Sequence, residues 1–204
     1  MEIVISSIMD IWPMLTIFIV VLVTIRVMSL HIGHEKFVFY KEFINLAFII
    51  YALLIYRLLT KAEINYMIGV NLVPFTEILR YDIGTHEFYR NVIGNIVLFI
   101  PFGYFVSMYM KASKVSHILI VSIITSSTIE IVQHFIGRSF DIDDILLNVI
   151  GSIIGFLLYI GLTAIRKHLP RFFSSDLFNN VICILICLVL GYYIFKFFNI
   201  NISI

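Results

Sequence analysis

The sequence predicts an all-α integral membrane protein, a bundle of about six transmembrane helices. Three observations carry that expectation. The 204 residues are 61% hydrophobic and only 13% charged, with a mean hydropathy of +1.03, whereas soluble domains carry about a quarter charged residues. Apolar runs recur at lengths close to the roughly 20 residues a helix needs to cross a bilayer. The polar residues inside those runs are gathered rather than scattered, most densely between Glu130 and Gly155. A net charge of +1 gives no electrostatic case for nucleic acid.

The first helix is expected from about Trp12 to Ser29, with Asp10 as N-cap and Pro13 tolerated in the first turn. Ahead of it stand Glu2 and Asp10 and no Lys or Arg. A cleavable signal peptide has a positive leader, so this helix is expected to stay in the mature chain. The second runs from about Phe43 to Leu59 and the third from Val92 to Met110, where Pro101-Phe102-Gly103 is expected to kink it. The fourth covers Val115 to Ile136, the fifth Ile145 to Ile165 and the sixth Val181 to Phe198. Cys183 and Cys187, one turn apart in the sixth, read as small apolar residues of a membrane helix rather than as a disulfide or metal pair. Only Lys61 to Asn91 is a long connection, and repeats and low-complexity tracts are absent from the sequence. One membrane domain, 1–204, accounts for the whole.

Orientation follows from Lys and Arg in the connections. Arg26, Lys36, Lys41, Lys111, Lys114, Arg166, Lys167 and Arg171 fall on one side, against Arg57, Lys61, Arg80, Arg90, Arg138 and Lys196 on the other. Arg80, Arg90 and Arg138 sit among other polar residues and read as site residues. The first set is then cytoplasmic, and both termini, the long connection and the acidic loop face outward. Arg166, Lys167 and Arg171 suit a surface anchor for anionic lipid, and Arg57 can snorkel toward the interface.

Bilayer interiors penalise polar groups, so their clustering marks a candidate site. At 100° per residue, Ser122, Ser126, Glu130 and Gln133 share an arc of about 80° on the fourth helix. Asp141, Asp144, Asn148, Gly151 and Gly155 share a similar arc on the fifth, while Asp143 points away from them. Asn91, Gly94, Asn95 and Phe102 cluster on the third. Glu130 lies about 9 Å below its helix end at 1.5 Å per residue, and Asn95 and Asn148 each lie three residues into theirs. Helix hairpins put all three ends at one membrane face, so Asn95, Glu130, Gln133, Asp141, Asp144 and Asn148 are expected to meet in an outer-leaflet pocket with Arg138 at its rim.

Plainer roles compete at each position. Asp141 and Asp144 have the spacing of an N-cap and an N3 acid. Gln133, Asn95 and Asn148 suit interhelical hydrogen bonding, and Gly151 and Gly155 form a GxxxG packing pair. Ser122 and Ser126 can bond back to their own helix. Asn71-Leu72-Val73-Pro74-Phe75 reads as an interfacial turn. His31, His34 and Glu35 superficially resemble a metal site but lie in a short basic loop, and His134 neighbours the polar face, where it reads as an ordinary hydrogen-bonded histidine.

The ordered set Asn71-x-x-Pro74-Phe75, Asn95-x-x-x-Phe99-x-Pro101-Phe102-Gly103, Glu130-x-x-Gln133, Arg138, Asp141-x-x-Asp144, Asn148, Gly151 and Gly155 resembles the VanZ-like family. The resemblance covers a core of about 43–166, leaving 167–204 as an extra C-terminal transmembrane helix. It implies a multi-pass bacterial cell-membrane protein. It also brings an association with resistance to teicoplanin, a lipid-tailed glycopeptide that acts outside the membrane on cell-wall precursors. It carries over no catalytic residues. Pro74, Pro101, Gly103, Gly151 and Gly155 are expected to be structural, from their turn, kink and packing positions.

Three functions stay open. A non-enzymatic envelope protein would bind an amphipathic ligand: a membrane lipid, a lipid-linked cell-wall precursor or a lipoglycopeptide. Arg138, with Arg80 or Arg90, would contact phosphate, and Asn95 and Gln133 would bond the headgroup. An intramembrane enzyme would use Glu130 or Asp144 as acid or base, or hold a divalent cation on Glu130, Asp141 and Asp144. No nucleophile–base pair or HExxH arrangement accompanies them, which weighs against an enzyme and leaves no predicted cofactor. A transporter or scramblase is the third, where a homodimer would supply the symmetry that the single chain lacks.

Overall fold

A computed structural model describes residues 16–29, 32, 37–60 and 69–202. Its helices are α1 (Thr16–Ser29), α2 (Phe39–Thr60), α3 (His86–Met110), α4 (Val115–Phe135), α5 (Ile142–His168) and α6 (Asp176–Ile202). The architecture is therefore all-helical, with two short strands, β1 (Val70–Asn71) and β2 (Phe140–Asp141), paired in parallel. Among the described residues α3, α4 and α5 are long and apolar enough to cross a membrane. The histidine–glutamate cluster at 31–35 and the start of the first helix lie outside the described residues.

The chain forms two compact units, Leu54–Ile165 and, together, Ile8–Leu53 with Arg166–Ile204. In the first, α3 starts earlier than the sequence suggests. Thr85 caps it by accepting from the Phe88 amide at 3.2 Å, and residues Tyr89–Ile93 form a π-helical turn that continues into Gly94–Met110. The helix runs on through Pro101, whose missing N–H leaves the Val97 carbonyl without its helical donor. It ends at Lys111, in left-handed backbone, and a short turn leads to α4.

Packing of α3 on α5 is backbone-close. A Cβ built on Gly151 would lie 2.2 Å from the Ile96 carbonyl oxygen, one on Gly155 2.1 Å from that of Ile100, and one on Gly103 2.0 Å from that of Ser152. No real side chain fits at such distances, so all three glycines are required by close approach. Tyr104 and Tyr159 meet edge-on beside this contact. Ala112, Ile118 and Phe156 form a small apolar core toward the Met110 end of α3.

The helices expose their large aliphatic residues and bury small polar ones. Ser107, Ser122, Ser126 and Ser152 are wholly buried, while Ile124, Val97 and Leu157 lie exposed. Lipid solvates the outside of such a bundle, so apolar residues need not face inward, and polar groups find partners only between helices.

In the second unit, Arg26 of α1 makes two 2.9 Å hydrogen bonds to the Glu42 carboxylate of α2. The Tyr40 amide donates to the Asn180 side chain of α6 at 2.9 Å. Residues of α1 and α2, among them Leu22, Phe43 and Ile49, line a cavity of about 480 Å3 together with Phe37 just ahead of α2. Cys183 is buried and Cys187 half-buried, both as free thiols.

Candidate functional site

The end of α4 sets the geometry. Gly137 takes φ +92, a conformation glycine adopts without strain. The Arg138 amide then donates to the Gln133 carbonyl at 3.0 Å and the Gly137 amide to that of His134 at 3.1 Å. These two bonds form a Schellman motif, which satisfies the last carbonyls and turns the chain back. Two residues later it enters β2, beside β1, with Val70 opposite Phe140 and Asn71 opposite Asp141.

Asp141 then caps α5. Its Oδ1 accepts from the Asp143 amide at 2.8 Å, the N2 position, as a helix cap requires. The same oxygen accepts from the Asn71 side-chain amide at 3.0 Å. Its own backbone N–H donates to Glu130 Oε2 at 3.0 Å. Glu130, five residues before the end of α4 and 1% exposed, is thereby tied to the start of the next helix. Burial dominates at Asp141 and pushes its carboxyl above the usual carboxylate range, despite the two donors.

Two further contacts join the helices. Asn95 on α3 donates to Asp144 Oδ1 on α5. Asn148 on α5 donates to the Ser126 hydroxyl on α4 at 2.8 Å. Asn95 lies nine residues into α3 and Asn148 six into α5, because both helices start earlier than their apolar runs. Gln133 is 2% exposed. Arg138 is half-buried, and its charge acts on both Glu130 and Asp144. The residues expected to converge are therefore gathered around the starts of α3 and α5 and the end of α4. Ser122 and Ser152 bond back to their own helices, the plainer role anticipated for Ser122.

Asp143, expected to point away from Asp144 and Asn148, turns to protein: only 1% of it is exposed. One carboxylate oxygen accepts from the Phe75 amide at 2.6 Å, the other from the amides of Glu77 at 2.8 Å and Ile78 at 3.2 Å. Asn71 helps from the other side, accepting from the Val73 amide at 3.1 Å. Phe75 sits at φ +68, unusual for a bulky residue, and is held there by this grip. A helical wheel gives the direction of Asp143 but not what lies there; the signal was the middle acid of the three in Asp141-Ile142-Asp143-Asp144, with a motif led by Asn71 upstream.

Around the cluster, the buried Asn148 Oδ1 and His134 Nδ1 have no hydrogen-bond partner among the described residues. Each is an unmet hydrogen-bonding demand close to the cluster. Among the described residues no three His, Cys, Asp or Glu side chains are grouped to hold a metal ion.

With the geometry in place, similarity to known proteins decides the family. The VanZ/LLP1 family matches residues 43–166, well over half of the chain. The chain belongs to this family. It is also 34% identical over 109 residues to Protein VanZ of Enterococcus faecium, an alignment covering 50% of this chain and 58% of that relative. The chain thus spans little more than half the length of that VanZ protein. No solved structure matches it. The matched VanZ/LLP1 region contains all of the polar cluster, the Asn71 turn and the three glycines of the α3–α5 contact.

Proposed function

We propose that this VanZ-like protein acts in the bacterial cell membrane as a non-enzymatic binder of an amphipathic envelope ligand, and that it contributes to resistance to teicoplanin-type lipoglycopeptides. The polar cluster faces the outer leaflet in this reading, with the acidic loop outside the cell. Lipid tails lie against the exposed faces of α3–α5, and the polar portion of the ligand meets Asn95, Gln133 and Arg138.

The observation that carries the proposal is the buried carboxylate–amide cluster itself. Glu130, Asp144, Asn95 and Asn148 are drawn together at one end of three spanning helices. Asn148 Oδ1 and His134 Nδ1 remain there with unmet hydrogen-bonding capacity. Isolated polar groups are costly in lipid and are retained where they do work. Membership of the VanZ/LLP1 family supports the envelope role.

The test is susceptibility to teicoplanin in a sensitive host expressing the wild type, Glu130→Gln, Asp144→Asn or Arg138→Ala, with membrane levels matched by immunoblot. Protection by the wild type and its loss in the variants is the expected result. An unprotected wild-type strain sinks the resistance reading, and equal protection by all three variants sinks the cluster as its site.

A further inference from the structure

The segment 72–83 has a backbone turned inward and side chains turned out. Its amides at Val73, Phe75, Glu77 and Ile78 are spent on Asn71 and Asp143. Its large apolar side chains are left bare: Leu79 is 81% exposed and Ile83 88%, more than Ile124 at 62% on the lipid-facing side of α4. Leu72, Val73 and Phe75 are exposed as well. Glu77 and Arg80 pair, with Arg80 Nη1 3.1 Å from Glu77 Oε1, which leaves Asp82 as the one further charge of the segment. The Tyr81 hydroxyl, its pKa raised first by burial and then by the Glu77 charge, lies 3.4 Å from the Glu77 carboxylate.

Irregular backbone survives at lipid depth only when its polar groups are satisfied by protein. A carboxylate that collects three amides supplies that satisfaction, and a loop in water would not need it. Tyr89 at the start of α3 and Phe135 at the end of α4, the latter 83% exposed, are bare apolar side chains at the same ends of the spanning helices.

We infer that segment 72–83 is a lipid-docked loop, lying at the headgroup–acyl boundary of the leaflet that holds the polar cluster, with its apolar side chains in the acyl chains of the surrounding bilayer. Asp143 is the positioning residue that makes this depth tolerable. The inference rests on the loop and on the membrane character of the chain, and it stands whatever the cluster binds.

Tryptophan depth measurements test it. Trp12 is the only tryptophan of the chain, so Trp12→Phe gives a silent background for Leu79→Trp, Ile83→Trp and, as a spanning-face reference, Ile124→Trp. Each full-length variant is reconstituted in phosphatidylcholine vesicles, with or without lipids brominated near the glycerol end of the chains. Blue-shifted emission at 79 and 83, strong quenching by the bromolipid and weak quenching by aqueous iodide is the expected result. Emission like that of tryptophan in water, quenched by iodide, overturns the proposal. Protection from both quenchers also overturns it, because protein, such as a second copy of the chain, then covers the loop. Adding Asp143→Asn is expected to cut bromolipid quenching at 79 and leave it intact at 124; unchanged quenching at both removes Asp143 from the account.

Discussion

In the unit Leu54–Ile165, the side chains withdrawn from the surface are mostly hydroxyls, amides and carboxylates; the amides and carboxylates Asn148, Glu130, Asp141 and Asp143 reach partners on another element, while Ser107, Ser122 and Ser152 bond back to their own helices. In the other unit, α1 and α2 instead enclose an apolar cavity, and the charged residues lining it, Arg26 and Glu42, pair with each other. The first unit also holds the glycines that bring two backbones together, whereas Gly191 of α6 has open space around it. Much of the specificity of the first unit lies in polar contacts and close approach, which tolerate little change. The second leaves room. The VanZ/LLP1 match, 43–166, covers all of the described first unit and only a small part of the second.

The sharpest way to break this contrast is at the glycines. Gly155→Ala forces a methyl to within 2.1 Å of the Ile100 carbonyl, and such overpacking against backbone is expected to cost about 3 kcal/mol or more. Gly161→Ala, on the same helix, and Gly191→Ala meet nothing within 4 Å and are expected to gain up to about 1 kcal/mol from helix propensity. Thermal unfolding in detergent reads all three; equal losses would mean that the α3–α5 contact is not backbone-close.

Next in size is Asp143→Ala, which strands the amides of Phe75, Glu77 and Ile78. Leaving buried donors unmet costs about 1–3 kcal/mol each when water cannot replace the partner. Hydrogen exchange should accelerate at these amides and hardly change at Ser126. If the whole unit exchanges faster instead, the carboxylate holds more than the loop.

Glu42→Gln in the second unit is expected to cost about 1 kcal/mol or less, because Arg26 is 41% exposed and water screens the pair. A loss as large as that of Asp143→Ala would erase the distinction between the units.

The smallest effect concerns pH. Burial raises the Asp141 carboxyl above its ordinary value of 3.8. Between that value and the raised one, the folded chain holds a proton that the unfolded chain has released. Stability from this group is therefore fully present below the ordinary pKa and is lost as pH rises through the folded one. Asp141→Asn should flatten that part of the stability-versus-pH curve while weakening the cap slightly. A profile that keeps its slope would assign the titration to another group.

The helices were legible because a bilayer demands long apolar runs, and α4 matches its expected bounds to within a residue. The convergence of Asn95, Glu130 and Asn148 was legible from helical spacing plus the rule that consecutive spans alternate direction. The early start of α5 was signalled by the N-cap and N3 spacing of Asp141 and Asp144, although its apolar run begins only at Ile145. That of α3 was not, since capping by Thr85 happens outside the apolar pattern. Nor was the grip of Asp143, 68 positions from Phe75. Periodicity reports which way a side chain points within its own helix, and nothing about a loop that folds over it. The Asn71-x-x-Pro74-Phe75 element now has a physical meaning: Asn71 ties to Asp141, and the Phe75 amide to Asp143.

The parallel pairing of Asn71 with Asp141 joins positions 70 residues apart. A ribosome releases the first of them long before the second, with two complete spanning helices made in between. Until Phe140 to Asp143 emerge, the segment after Asn71 has no strand to lie beside and no carboxylate to collect its amides. Closure of this end of the bundle is thus a late event of biosynthesis, and a nascent chain stalled after α4 should still offer the long connection to a protease.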